Sequence, residues 1–161
     1  MVLLTWFKGE FNLLPSSWND FGVDVLIGVV IAMLFILANI IAPSFITLGL
    51  PTDYLTTQQG GFLVSTIGAP FAEELGFRGL LYGILTFAMP PEFAGLLQAV
   101  IFSLFHWQAY GLGLQSAFVG AFAFGVITWA VGRWRHSAIS GIVLHIAFNL
   151  WLLGTKLAFI S

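Results

Sequence analysis

From Val23 to Ala42 the chain is almost wholly apolar. Wound as an α-helix rising 1.5 Å per residue, that stretch is about 30 Å long, the thickness of a bilayer's hydrocarbon core. Comparable apolar runs follow it as continuous blocks, without the two-residue alternation of a membrane barrel. The sequence is 59% hydrophobic and only 7% charged, where a soluble domain carries roughly 25% charged residues. An ordinary soluble globule is therefore excluded. The expected fold class is all-α: a polytopic membrane helical bundle of about five transmembrane helices.

The first span is Val23 to Ala42, capped by Asn19 or Asp20 and ended by Pro43. A second helix is predicted from Gly60 or Gly61 to about Met89, kinked by Pro70 and stopped by Pro90-Pro91. The third runs from Glu92 to about Tyr110, the fourth from Gly113 to Gly132, and the fifth from Ser137 to about Lys156. Residues 43 to 60 read as a polar connection holding one short surface helix, and residues 1 to 20 as a headgroup-level segment with aromatic anchors. Small residues four apart (Gly79 with Gly83, Ser116 with Gly120, Ala121 with Gly125) predict close helix approaches. No repeat or low-complexity segment divides the chain, so residues 1–161 are expected to form a single membrane-embedded domain with a catalytic core at 60–155.

Arg133, Arg135 and His136 are the basic cluster expected to keep the loop between helices four and five cytoplasmic. Five spans then put the N-terminus on the cytoplasmic side and the C-terminus outside. The first residues lack a cationic segment and a cleavage site, so the first span is expected to act as its own insertion signal.

With a net charge of −2 and five Lys plus Arg, the chain offers no basic surface, and nucleic acid is not an expected partner. The absence of cysteine excludes disulfides, thiolate metal sites and a Cys nucleophile. Against this background Glu73-Glu74-Leu75-Gly76-Phe77-Arg78 is conspicuous. An ionisable group at membrane depth costs from about 2.5 kcal/mol upward, so it is expected to face a protein interior and to act there.

Helical geometry separates the two carboxylates. Glu74 and Arg78, four apart, share a face and form the natural ion pair, while Glu73 points away and is left for general-base chemistry. His106 stands alone among apolar neighbours in the third helix, and His145 and Asn149, four apart, face the same way in the fifth. Glu73, His106, His145 and Asn149 together supply a base, a proton shuttle and donors for an oxyanion. A water between Glu73 and His106 could be deprotonated to attack a peptide carbonyl. Ser103 and Ser140 lack a Gly-x-Ser-x-Gly elbow, which disfavours a serine mechanism.

These residues resemble the CAAX-processing endopeptidases and bacteriocin-processing enzymes, the Abi group of intramembrane proteases. The family's motifs Glu-Glu-x-x-x-Arg, Phe-x-x-x-His and His-x-x-x-Asn read here as Glu73 to Arg78, Phe102 to His106 and His145 to Asn149, in the family's order and on three helices. The flanks Ala69-Pro70-Phe71-Ala72 and Gly79-Leu80-Leu81-Tyr82-Gly83 are similar as well. The resemblance implies a compact core of the CAAX-protease-like fold in a multi-pass protein of a prokaryotic plasma membrane. It implies that Glu73 and His106 activate the water, that His145 and Asn149 complete the site, and that Glu74, Arg78 and Phe102 support it. Its expected partners are the lipid bilayer and a peptide or protein substrate at the membrane, either a prenylated CAAX tail or a bacterial peptide. No cofactor is expected.

Three other readings compete. Glu73, His106 and His145 are reasonable zinc ligands, giving an intramembrane metalloprotease, although no His-Glu-x-x-His helix is present. A non-enzymatic membrane immunity or partner protein could keep the polar cluster for packing alone. A proton-coupled carrier could use the same Glu and His as a relay, against which stands the lack of paired broken helices in two matching halves.

Overall fold

The computed structural model describes residues 14–41, 64–110 and 116–160. They form five helices and, among the described residues, no strand. Helix α1 is Trp18–Ile41, α2 spans 64–85, α3 is Pro91–Tyr110, α4 spans 116–135 and α5 is Ile139–Ile160. The five expected helices are present, and the ends that fall within the described residues differ from the expected ones by one to five residues. The expected surface helix in 43–60 and most of the anchor segment in 1–20 lie outside the described residues. One described helix, Trp18–Ile41, is long and apolar enough to cross a membrane, with a mean hydropathy of 2.7, and Ile139–Gly154 is a shorter apolar stretch.

Local chemistry explains the shifted ends. Helix α1 is capped by Ser17 and not by Asn19 or Asp20. The Ser17 hydroxyl accepts from the Asp20 N–H at 3.1 Å, and Asp20 Oδ2 accepts from Ser16 and Ser17 at 2.7 Å each. Ser17 is thus an N-cap whose hydroxyl accepts from the third helical N–H, and its own hydroxyl hydrogen goes to the Asp20 carboxylate. Helix α2 stops at Leu85, short of the prolines, because Thr86 donates back to the Gly83 carbonyl and the Ala88 and Met89 N–H groups both turn onto the Leu85 carbonyl. Pro91 then opens α3, where its missing N–H costs nothing. Helix α4 ends with His136 in the left-handed region at φ 52°, and the Ser137 N–H closes onto the Gly132 carbonyl at 3.1 Å.

Within α2 the hydrogen bonds widen twice from α to π register, at Val64–Gly68 and Glu74–Leu81, on either side of Ala69–Glu73. The expected proline kink is thus a pair of widened turns around Pro70. Such turns are uncommon and concentrate at functional sites.

Helix α5 is central: it packs against α1, α4 and α2, while α3 packs against α4 and the second half of α2. The core where α1, α3, α4 and α5 meet is aromatic, with Phe35 edge-on to Phe148 at 5.1 Å and to Phe124 at 5.5 Å. Two glycines set how closely the helices approach. A Cβ on Gly28 would lie 2.7 Å from the Ser140 carbonyl oxygen, which brings α1 backbone-close to α5, and one on Gly125 would lie 3.1 Å from the Ala99 side chain. The second was anticipated from the Ala121 and Gly125 spacing. Gly79 was not rightly anticipated, since a Cβ there would meet open space.

At one end of the bundle Arg135 reaches from α4 to α1, donating from Nε to Asp24 Oδ1 at 2.6 Å and lying 3.6 Å from Asp20. Asp24 is fully buried. Arg133 pairs on the surface with Glu92 at 2.9 Å. Both arginines expected to mark a cytoplasmic loop are therefore matched by carboxylates, and the start of α1 lies at the same end as the α4–α5 turn. Arg135→Met strands the Asp24 carboxylate in the interior and is expected to lower stability by roughly 3 kcal/mol. Adding Asp24→Leu should restore most of that loss, and detergent-phase thermal unfolding of the single and double variants checks both.

Candidate active site

Three helices bring Glu73, Glu74, Arg78, Phe102, His106 and His145 together. Helix α2 contributes Glu73, Glu74 and Arg78 next to its second widened turn, α3 contributes Phe102 and His106, and α5 contributes His145 and Asn149. Glu74 and Arg78 are completely or almost completely buried, whereas the side chains of Glu73 and His106 each keep 13% of their surface accessible. A four-residue step returns a side chain to nearly the same face whether the turn is α or π. The pairing expected from the sequence therefore survives the change of register, with Arg78 Nη1 3.3 Å from Glu74 Oε1.

The Arg78 guanidinium makes no hydrogen bond to a described residue. Its charge is compensated by the Glu74 carboxylate and by the face of Phe102, whose centroid is 4.1 Å from the guanidinium carbon. Phe102 in turn packs against the His106 imidazole at 4.1 Å between ring centres. Its carbonyl oxygen lies 2.9 Å from His106 Nδ1. A carbonyl can only accept, so Nδ1 carries the hydrogen and Nε2 presents a lone pair. The Phe-x-x-x-His spacing thus has a physical meaning: a carbonyl four residues back fixes the tautomer, and the ring of the same residue fixes the plane.

His145 is fixed by a carboxylate. Its Nδ1 lies 3.1 Å from Glu74 Oε1, the oxygen that also faces Arg78. Beside that guanidinium the carboxylate is ionised and accepts, so the hydrogen again sits on Nδ1. The ring is further boxed by Phe124, edge-on at 4.8 Å. Both Nε2 atoms consequently face one carboxylate oxygen: Glu73 Oε2 is 3.4 Å from His106 and 3.8 Å from His145. One ligand atom from each of Glu73, His106 and His145 falls within 4.8 Å of the others.

Asn149 stands one turn beyond His145 on α5 and is half-buried. Among the described residues no hydrogen bond ties it to Glu73 or to either histidine. Reading the sequence missed two contacts. Glu74 serves His145 as well as Arg78, and Phe124 walls the imidazole. The first is a contact across 71 residues of sequence, which no helical period reports. The second is one of 17 phenylalanines and carries no signal of its own.

Residues 56–151 match the model of the Rce1-like type II CAAX prenyl endopeptidases. Neither the curated proteins nor the solved structures contain a match. The matched segment contains every polar residue of the cluster and covers more than half of the sequence, and the chain therefore belongs to the Rce1-like type II CAAX prenyl endopeptidase family.

Proposed function

We propose that the protein is a membrane-embedded endopeptidase that hydrolyses a peptide bond with a water activated by Glu73 and His106. The observation that carries this reading is the meeting of Glu73 Oε2 with two imidazole Nε2 atoms whose opposite nitrogens are tied down. One water hydrogen is accepted by the Nε2 lone pair of His106 and the other is taken by Glu73. The oxygen attacks the carbonyl carbon, and the C–N bond breaks as Glu73 passes its proton to the leaving amine. No covalent acyl-enzyme is formed.

The oxyanion needs donors. The Asn149 amide supplies one. His145, with its Nδ1–H on Glu74, turns its Nε2 lone pair toward the same Glu73 oxygen and holds the water from the side of α5. The substrate class proposed is a peptide presented at the membrane, a prenylated CAAX tail or a bacterial peptide, and the family membership favours the former.

A second reading has a specific observation in its favour. Two lone pairs facing each other at 3.4 Å repel unless a hydrogen or a cation lies between them. Tetrahedral zinc with ligands at 2.0–2.1 Å also separates its ligand atoms by about 3.4 Å. Both histidines donate their other N–H outward, as metal-bound histidines do. Glu73, His106 and His145 would hold such an ion, which would supply Lewis-acid polarisation of the carbonyl or the water.

Glu73→Gln and His106→Ala are each expected to cut hydrolysis of a prenylated CAAX peptide by at least about 10³-fold while helicity and unfolding temperature are retained. Near-normal turnover in either variant would sink the proposal. Glu74→Gln should instead lower stability by roughly 3 kcal/mol, because it leaves Arg78 buried without a counter-charge, and an unchanged denaturation midpoint would contradict the arrangement described. The two readings separate in one assay. Activity that survives exhaustive chelation, in protein free of zinc by elemental analysis, supports glutamate and water; activity lost to chelator and restored by zinc supports the metal.

A further inference from the structure

Gly141 lies on α5 one turn before His145, on the same face, and is buried. A Cβ placed there would come within 2.9 Å of Glu74 Oε2 and 3.6 Å of the Glu74 carboxyl carbon, with the Thr128 side chain of α4 at 3.6 Å on the other side. Glu74's carboxylate thus occupies the volume that any side chain at 141 would claim. Its other oxygen reaches His145 Nδ1 at 3.1 Å and faces Arg78 Nη1 at 3.3 Å. The contact to His145 is already near the long end of the 2.7–3.2 Å range for an N–H···O bond. A displacement of about 0.5 Å carries it beyond that range.

We infer that Gly141 is a positioning residue for the hydrolysis: the missing side chain is the seat that lets Glu74 hold His145 in the Nδ1–H tautomer, with its Nε2 turned toward Glu73. The inference rests on the site reading given above, and it applies whether a free water or a metal-held water attacks the peptide carbonyl, since in both readings the His145 Nε2 lone pair is turned toward Glu73. It also gives Glu74 two separable duties. Neutralising Arg78 needs only its charge, whereas holding His145 needs its location to within a few tenths of an ångström.

Gly28 provides the control. A Cβ there meets α5 even more tightly, at 2.7 Å from the Ser140 carbonyl oxygen and 2.8 Å from Val143 Cβ, but at the contact with α1 and not at the carboxylate. The experiment compares wild type, Gly141→Ala and Gly28→Ala in detergent micelles. It uses imidazole ¹⁵N spectra to read the His145 tautomer, thermal unfolding, and kcat and KM on a prenylated CAAX peptide. The chain has three histidines, and His136→Gln leaves two to assign.

Gly141→Ala is expected to convert His145 from the Nδ1–H form to a mixture, and to lower kcat by about 10–100-fold with KM within about twofold, as losing an orienting partner of a histidine does. Gly28→Ala is expected to lower the unfolding temperature with the tautomer and kcat unchanged. A Gly141→Ala protein that keeps both the Nδ1–H form and its kcat overturns the inference. So does one that loses its helicity while Gly28→Ala keeps it, or a Gly28→Ala protein with the same tautomer change. The tautomer needs no substrate: if the wild type cleaves no peptide, the proposed activity fails, while the spectra still decide for or against Gly141.

Discussion

A single buried oxygen, Oε1 of Glu74, organises the middle of this bundle. It faces Arg78 at 3.3 Å within its own helix and His145 at 3.1 Å from another. Alone, a carboxylate or a guanidinium at that depth would cost several kcal/mol. Together each supplies the other's compensation, and what remains of Arg78's charge is spread over the face of Phe102. From that aromatic ring the order passes to His106, through ring contact and through the backbone carbonyl of the same residue. Both imidazoles are therefore oriented by one ion pair: His145 directly, and His106 through the ring on which the pair's cation rests.

This arrangement explains why the two adjacent glutamates are not equivalent. Glu74 is saturated by partners that hold it still. Its neighbour turns by about a quarter of a circle to the other side of α2, where both Nε2 atoms meet it and some accessible surface remains. The widened turn that begins at Glu74 falls at this division. On the proposed reading, a carboxylate that orients and a carboxylate that reacts then sit one residue apart in sequence without competing for the same counter-charge.

Much of this was legible in the sequence where the relevant period is local. Spacing alone paired Glu74 with Arg78, set Glu73 apart, and placed His145 and Asn149 on one face, because each of those statements concerns a single helix. The five helix bodies were likewise legible from apolar blocks. What was not legible depends on which surfaces meet. Glu74's second duty to His145, the hole at Gly141 and the wall at Phe124 are all contacts between helices, and none leaves a periodic trace. The cap at Ser17 was hidden by two better-known capping residues just beyond it, Asn19 and Asp20. The basic cluster at Arg133 and Arg135 read as a topological marker, because its carboxylate partners Glu92, Asp20 and Asp24 lie 41 or more residues away.

Helix α1 lies outside the segment that matches the family, yet it bears on the site. Its buried residues, Asp24, Gly28, Ala32, Phe35 and Asn39, form one stripe at three- and four-residue steps, and that stripe runs along α5, the helix that carries His145 and Asn149. Gly28 brings the two backbones together, Phe35 wedges between Phe124 and Phe148, and Asp24 is held at the end by Arg135. Phe124 is the same ring that walls His145 on its other side. Helix α1 and His145 thus pack against the same side chain. With Phe124 beside its ring and Glu74 at its Nδ1, His145 is held with its Nε2 toward Glu73.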